Sequence, residues 1–301
     1  MIDMGRCPVC ESFETELFLK KPLDFEYFVS RKISSSLLIC SNCGSIYQDP
    51  LPTKEECDSF YPSDYQDYSR KDLPLLRSLL KFMVKRGASS FVREHGFDKR
   101  ILDFGCGDGS FAKALVECGA REVIGYEAHS RARSAENTQG LLVLYDLDKL
   151  EQQGPYDIIR LNHVIEHLSD LDRALQMLFE LLSPTGKIVI QTPNPRALTL
   201  RLFKRYWGAL HYPFHTVLIS PLGLTQLSHR SGLRVVRTSS ALMPTGWSMS
   251  VENLIKDVFK IKRRGRTILY GWLVIFSVPL MFLERFFSGG YALFTTLHSR
   301  N

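Results

Sequence analysis

Three groups of residues in this chain have the types and spacing to do chemistry. In the segment ILDFGCGDGSFAKAL an apolar run leads into Gly105, Gly107 and Gly109, with Asp103 two residues ahead of the first glycine and a helical pattern opening near Ser110. Glycines at a strand-to-helix junction allow a tight turn and a close approach of ligand to backbone, and the helix start offers unpaired N–H groups. Glu127 closes the next apolar run, eighteen residues after Gly109. A carboxylate there can accept both hydroxyl protons of an adenosine ribose. The second group is Cys7-Pro-Val-Cys10 and Cys40-Ser-Asn-Cys43, two CxxC turns that together offer four thiolates to one tetrahedral metal, with zinc the expected ion. The third is Glu166, His167, His211, Tyr212 and His215, side chains able to take or hold a proton near neutrality.

The elements that must position these groups are legible from apolar periodicity. Residues 101–105, 122–127, 141–145, 156–162, 187–192 and 233–238 read as strands, and 110–119 and 171–183 as helices. Strands alternating with helices imply βαβ units around a mainly parallel sheet. Ahead of them, residues 73–95 read as one further helix. Ligands of such open sheets lie beyond the carboxyl ends of the strands, so the loops after residues 162 and 192 face the second substrate. The composition agrees: 301 residues, 45% hydrophobic and 23% charged, exclude a disordered chain and a disulfide scaffold. Lys and Arg exceed Asp and Glu by only six (38 against 32), which is no signature of a nucleic-acid binder. The N-terminus lacks a basic stretch followed by an apolar one, so a reducing, cytoplasmic setting is expected, where clustered cysteines read as metal ligands.

The run Asp103-x-Gly105-x-Gly107-x-Gly109 with Glu127 resembles the first motifs of the class I S-adenosylmethionine-dependent methyltransferases, and the resemblance extends over about residues 98 to 240. It implies an α/β fold with a Rossmann-like sheet covered by helices on both faces, and S-adenosyl-L-methionine as cofactor. It places Asp103, Gly105, Gly107, Gly109 and Glu127 around that cofactor, Asp146 at the adenine, and Asn162 and His163 along its border. With the cysteine pairs, the chain resembles the zinc-ribbon sugar C-methyltransferases and their relatives in bacterial polysaccharide pathways. That divides it into a zinc-ribbon lobe over 1–65 and a methyltransferase domain over 66–301, with a structural zinc on Cys7, Cys10, Cys40 and Cys43. In that family His167 and a Tyr-x-Glu-His cluster serve the acceptor; here the cluster is Tyr212-Pro213-Phe214-His215, so His167, Tyr212 and His215 are the expected catalytic residues. Phe214 stands where the family has glutamate, which weakens the case for proton removal from carbon and strengthens an oxygen or nitrogen acceptor. The expected substrate is a sugar, a glycan intermediate, free or lipid-linked, or a similar small polar molecule. A ribosomal RNA methyltransferase is the alternative, and a non-catalytic zinc-ribbon module a second. Residues 1–50 carry five basic and seven acidic side chains, a net of −2 that is wrong for gripping phosphates.

Residues 250–287 stand apart as an apolar helical insertion. Six cations (Lys256, Lys260, Lys262, Arg263, Arg264, Arg266) precede seventeen uncharged residues, Thr267 to Leu283. That length sits at the lower limit of about 17–25 residues for crossing a bilayer. Residues 291–298 resemble the last strand of the methyltransferase sheet and are expected to rejoin it beside 233–238. Both ends of the insertion then share one compartment, and peripheral contact of 256–287 with an anionic membrane is expected, against the alternative of a buried cap.

Overall fold

The computed structural model describes residues 5–28, 35–60, 74–128, 137–267, 269–287 and 290–299; the lobe boundary expected near residue 65 lies outside them. In chain order, an antiparallel meander of β1 (Thr15–Leu19), β2 (Ser36–Cys40) and β3 (Ile46–Asp49) is followed by α1 (Lys54–Phe60) and α2 (Pro74–His95). The alternating unit then runs β4 (Arg100–Phe104), α3 (Ser110–Glu117), β5 (Glu122–Tyr126), β6 (Leu141–Leu144), α4 (Leu147–Glu151), β7 (Tyr156–Asn162), α5 (Leu171–Glu180) and β8 (Leu182–Pro193). It closes with α6 (Leu198–Phe203), β9 (Val217–Leu218), α7 (Pro221–Arg230), β10 (Leu233–Ala241), α8 (Thr245–Val258), α9 (Tyr270–Phe287) and β11 (Ala292–Ser299).

The main sheet has seven strands in the order β10-β11-β8-β7-β4-β5-β6. Neighbours from β8 to β6 are parallel, and β11 enters antiparallel between β8 and β10, so the expected return of the chain is met. The central strands are apolar at consecutive positions because both faces are covered. Ile101, Val123 and Ile158 meet Ala88 and Val92 of α2 and Ala112 and Leu115 of α3. The alternate residues Leu102, Ile124, Ile159 and Ile188 meet Leu175 and Leu178 of α5 and Leu224 and Leu227 of α7. Local capping agrees with these ends: Asp170 accepts from Arg173 N, and Ser220, followed by Pro221, accepts from Gly223 N.

The cysteine lobe packs onto this body. β3 pairs with β9, a short strand from the second half of the chain, making a four-stranded sheet β1-β2-β3-β9. Cys7, Val9, Leu38, Cys40 and Cys43 share one hydrophobic core with Val217, Leu224 and Leu227. Arg230 ties the two again, pairing with Asp172 and donating to Val9 O at 2.7 Å.

Candidate active site and cysteine cluster

β4 ends on the glycine loop. Gly105, Gly107 and Gly109 all have positive φ (76°, 57° and 74°), and a Cβ on Gly105 would clash with Val164 Cγ2. Gly105 is therefore required by both backbone and packing. At Gly107 no atom lies within 4 Å of where a Cβ would sit, so the loop opens to space there. Glu127, just past β5, reaches back to accept from Gly107 N at 2.9 Å. Asp103 is buried and paired with Arg160 at 2.6 Å; its second oxygen, Oδ2, is buried without a hydrogen-bond partner. An open cradle, a carboxylate poised across it and an orphaned acceptor beneath fit a bound adenosine cofactor. Arg160 also stacks over Phe111 at 3.7 Å, which locks the floor of the loop to α3. Asp146 is exposed at the N-cap of α4, where one oxygen accepts from Asp148 N at 2.9 Å. Asn162 is half-buried at the end of β7.

The loop after β7 holds the more reactive groups. His163 adopts a left-handed backbone (φ 54°), a conformation costly for a non-glycine residue and common where function fixes the chain. Its Nδ1 lies 2.9 Å from Glu166 Oε1, and the Gln191 amide lies 3.3 Å from Nε2. Glu166 is fully buried and also accepts from Thr192 at 3.0 Å. Burial alone would raise its pKa, but the hydrogen bond from His163, with the imidazoles of His163 and His167 alongside, outweighs burial and holds Glu166 below the usual range. With Nδ1–H donated to a carboxylate, Nε2 carries the basic lone pair, and it accepts from the Gln191 amide in this structure. The sequence points to Glu166 and His163 separately; the 3-10 turn Ile165–His167 brings them together, three residues apart.

The segment between α6 and β9 completes this end. His167 Nδ1 lies 2.9 Å from Phe214 O and His215 Nδ1 2.9 Å from Ala209 O, and the two rings meet edge to face with centroids 4.7 Å apart. Glu166, His167 and His215 each place a ligand atom within 4.8 Å of the others. Tyr212 is engaged by another part of the chain. Its hydroxyl is buried and shares a 2.8 Å hydrogen bond with Ser35 of the cysteine lobe. From the same lobe, buried Gln48 donates to Pro213 O at 2.7 Å and His215 O at 2.9 Å, holding the histidine loop from behind. Sequence patterns give no sign of Gln48 or Ser35, since neither belongs to a motif. His211 pairs with Glu26 at 3.3 Å. Burial would raise the Glu26 pKa, yet the His211 bond and the Arg266 and Lys256 charges pull it down to about 2.

At the other pole, Cys7 and Cys43 sulfurs lie 3.8 Å apart and Cys10 and Cys40 sulfurs 3.4 Å, with all four within 4.8 Å. Four thiolates at about 2.3 Å from a central zinc form a tetrahedron with edges of about 3.8 Å, so the donor set fits that ion.

Residues 70–238, more than half the chain, match the model of a family described as "Methyltransferase domain". The chain belongs to this methyltransferase family. It is 29% identical over 153 residues to the ubiquinone biosynthesis O-methyltransferase of Aeromonas salmonicida, covering 46% of this chain and 64% of that relative. It is 30% identical over 106 residues to the protein of the same description in Yersinia pestis, covering 33% and 44%. The chain thus spans less than two thirds of the length of these curated relatives. Among solved structures, the magnesium protoporphyrin IX methyltransferase of Synechocystis PCC 6803, determined with bound SAH, superposes with a TM-score of 0.51 at 15% identity, covering 82% of this chain and all of that one. That likeness shows the fold, a Rossmann-like α/β sheet covered by helices.

Two expected results follow for this methyltransferase. Glu127→Ala removes the carboxylate that spans the cradle and should weaken S-adenosylmethionine binding by about 1.5–3 kcal/mol, the range for hydrogen bonds to a charged group. Calorimetry showing undiminished affinity would remove Glu127 from the cofactor site. The second concerns acid. Burial lowers the His167 pKa from 6.5 to about 4, and burial with the neighbouring His167 and His211 charges lowers that of His215 too. Between these pH values the unfolded chain binds more protons than the folded one. Stability is therefore complete above about pH 6.5 and is lost as pH falls toward 4, by at most about 1.4 kcal/mol per pH unit for each histidine. His167→Asn should give a shallower fall of Tm with acid; an unchanged acid limb would show that His167 does not contribute to it.

Proposed function

We propose that this methyltransferase acts on a hydroxyl oxygen of a small polar acceptor, a sugar or glycan intermediate being the class intended. The observation that carries the reading is the His163–Glu166 pair, 2.9 Å apart, with a fully buried carboxylate behind a half-exposed imidazole. S-adenosylmethionine, when bound, supplies a methyl group already activated on a sulfonium. The chain must then hold the acceptor oxygen in line with that methyl and take one proton. His163 Nε2 is the group placed to take it as the new O–C bond forms and the S–C bond breaks, and Glu166 keeps the imidazole in the right tautomer and steadies its positive charge. Asp103, Gly105, Gly107, Gly109 and Glu127 hold the cofactor, with Asp146, Asn162 and His163 along its edge. His167 and His215, neutral because they are buried, shape the acceptor side, and Tyr212 positions their loop through Ser35.

Oxygen is favoured over carbon by Phe214, which removes the carboxylate of the sugar C-methyltransferase pattern, and by the curated relatives, whose descriptions are of O-methyltransferases. Cys7, Cys10, Cys40 and Cys43 are assigned a structural zinc, closed to substrate by four thiolates. The zinc-ribbon resemblance supports a sugar over other alcohols, and the acidic balance of residues 1–50 speaks against RNA. The test is methyl transfer from carbon-13-methyl S-adenosylmethionine to extracted sugars and sugar nucleotides, with products read by mass and by methyl carbon resonance. Labelled O-methyl ether supports the reading; labelled C-methyl product, or labelled RNA alone, replaces it.

A further inference from the structure

The insertion between β10 and β11 is built inside out. In α9, Trp272, Ile275, Phe276, Phe282, Leu283 and Phe286 recur at helical spacing on one face, and that face is exposed: Trp272 62%, Phe276 68% and Phe286 83%. The polar side chains Ser277 and Glu284 of the same helix are turned inward and buried, Glu284 accepting from Thr199 of α6 at 2.9 Å. A surface helix of a protein surrounded only by water shows the opposite arrangement. A contiguous aromatic and aliphatic face of this kind marks an interaction surface.

The charges beside it identify the partner. Of the six expected surface cations, two serve the interior. Lys256 is buried and donates to Phe25 O at 3.0 Å, while Arg266 pairs with Glu26 and Glu252. Lys260, Lys262, Arg263 and Arg264 are exposed, immediately after the exposed pair Val258 and Phe259 and just before α9. Lys260 pairs with Asp257 at the carboxyl end of α8, whereas Lys262, Arg263 and Arg264 stand beyond that last turn and six or more residues ahead of α9, where helix stability does not account for them. They do suit a negatively charged surface that receives the apolar face. Geometry excludes a crossing: Ala241 and Ala292, at the two ends of the insertion, are register partners in adjacent strands, and no described helix is long and apolar enough to span a bilayer.

We propose that α9 lies in the interface of an anionic lipid bilayer, its Trp272–Phe286 face among the acyl chains and Lys260, Lys262, Arg263 and Arg264 at the headgroups. The proposal is independent of which acceptor the enzyme methylates. Interfacial helices combine these features, and each added cation strengthens binding to acidic lipid by about five-fold.

The test is flotation of the full chain with vesicles of phosphatidylcholine alone or mixed with phosphatidylserine. The wild type should float with the mixed vesicles, poorly with phosphatidylcholine, and less as salt is raised. Phe276→Asp/Phe282→Asp should abolish flotation, and Lys262→Glu/Arg263→Glu should weaken it by at least about 25-fold. Both variants should bind S-adenosylmethionine as the wild type does, which shows that they fold. Trp272 is the exposed tryptophan, Trp207 and Trp247 being buried, so its quenching by brominated lipid reports the contact directly. Wild type that stays out of the mixed vesicles overturns the proposal, as does flotation that survives the double aspartate. A dimer that dissociates in Phe276→Asp without any vesicle binding assigns the face to a second copy and overturns it equally.

Discussion

His163→Asn should lower kcat by about 10²–10⁴-fold, the contribution of a positioned general base, and weaken S-adenosylmethionine binding far less than that. Asparagine can keep the hydrogen bond to Glu166 but carries no group that titrates near neutrality. Glu166→Gln should act in the same direction. The amide can still accept one hydrogen bond, but it no longer stabilises an imidazolium, and a buried charge-assisted bond becomes a neutral one. The separation of kcat from cofactor affinity distinguishes catalysis from packing. If both variants turn over at wild-type rates with the true acceptor, the pair only braces the loop after β7. Tyr212→Phe provides the contrast. Its buried hydroxyl is bonded to Ser35, so the expected loss is about 1–3 kcal/mol of stability, with kcat affected much less than by His163→Asn.

Metal analysis should find one zinc per chain, and Cys40→Ser should lose it with a large fall in Tm. Structural zinc sites contribute on the order of 10 kcal/mol, and loss of only about half of that would lower Tm by about 10 °C or more in a protein of this size. The effect should extend beyond the lobe. Cys7, Cys40 and Cys43 belong to the same core as Leu224 and Leu227, and Gln48 of β3 holds the carbonyls of Pro213 and His215. Methyl transfer should therefore collapse in Cys40→Ser, whereas cofactor binding should survive. The glycine loop is held by β4 and β5 of the seven-stranded sheet, whereas the lobe's own sheet joins the rest of the chain through β9. A zinc-free variant with full turnover would show that the lobe does not support the acceptor loop. A full metal complement in Cys40→Ser would place the metal elsewhere.

Much of the sheet is legible in the sequence because its elements are set by local pattern. Strands buried on both faces are nearly continuous apolar runs, and helices between them show one apolar stripe; β4, β5, β7 and β8 follow from this, while β6 alternates and β10, largely exposed, shows only a short apolar run. The glycine loop is legible for a similar reason. Positive φ at three alternate positions and a Cβ clash at Gly105 leave no other residue type, so the motif records the backbone directly. The short strand β9 escapes such reading. Two residues carry no periodicity, and Val217 and Leu218 become a strand only because Tyr47 and Ile46 are there to pair with them.

The sequence by itself determined the fold class, the glycine loop and the four-cysteine set, because each depends on residue types at short spacing. The tertiary structure alone decided which side chains face one another. It turned Tyr212 inward to Ser35, joined His163 to Glu166 in a buried pair, and split the basic run into two interior ties and four exposed cations. It also reversed α9, so that Ser277 and Glu284 are buried while the aromatic face meets solvent. A run of hydrophobic residues records how much apolar surface a segment has. The direction in which that surface points is set by the distant partners, Thr199 and the adjoining β10 and β11, that hold the segment in place.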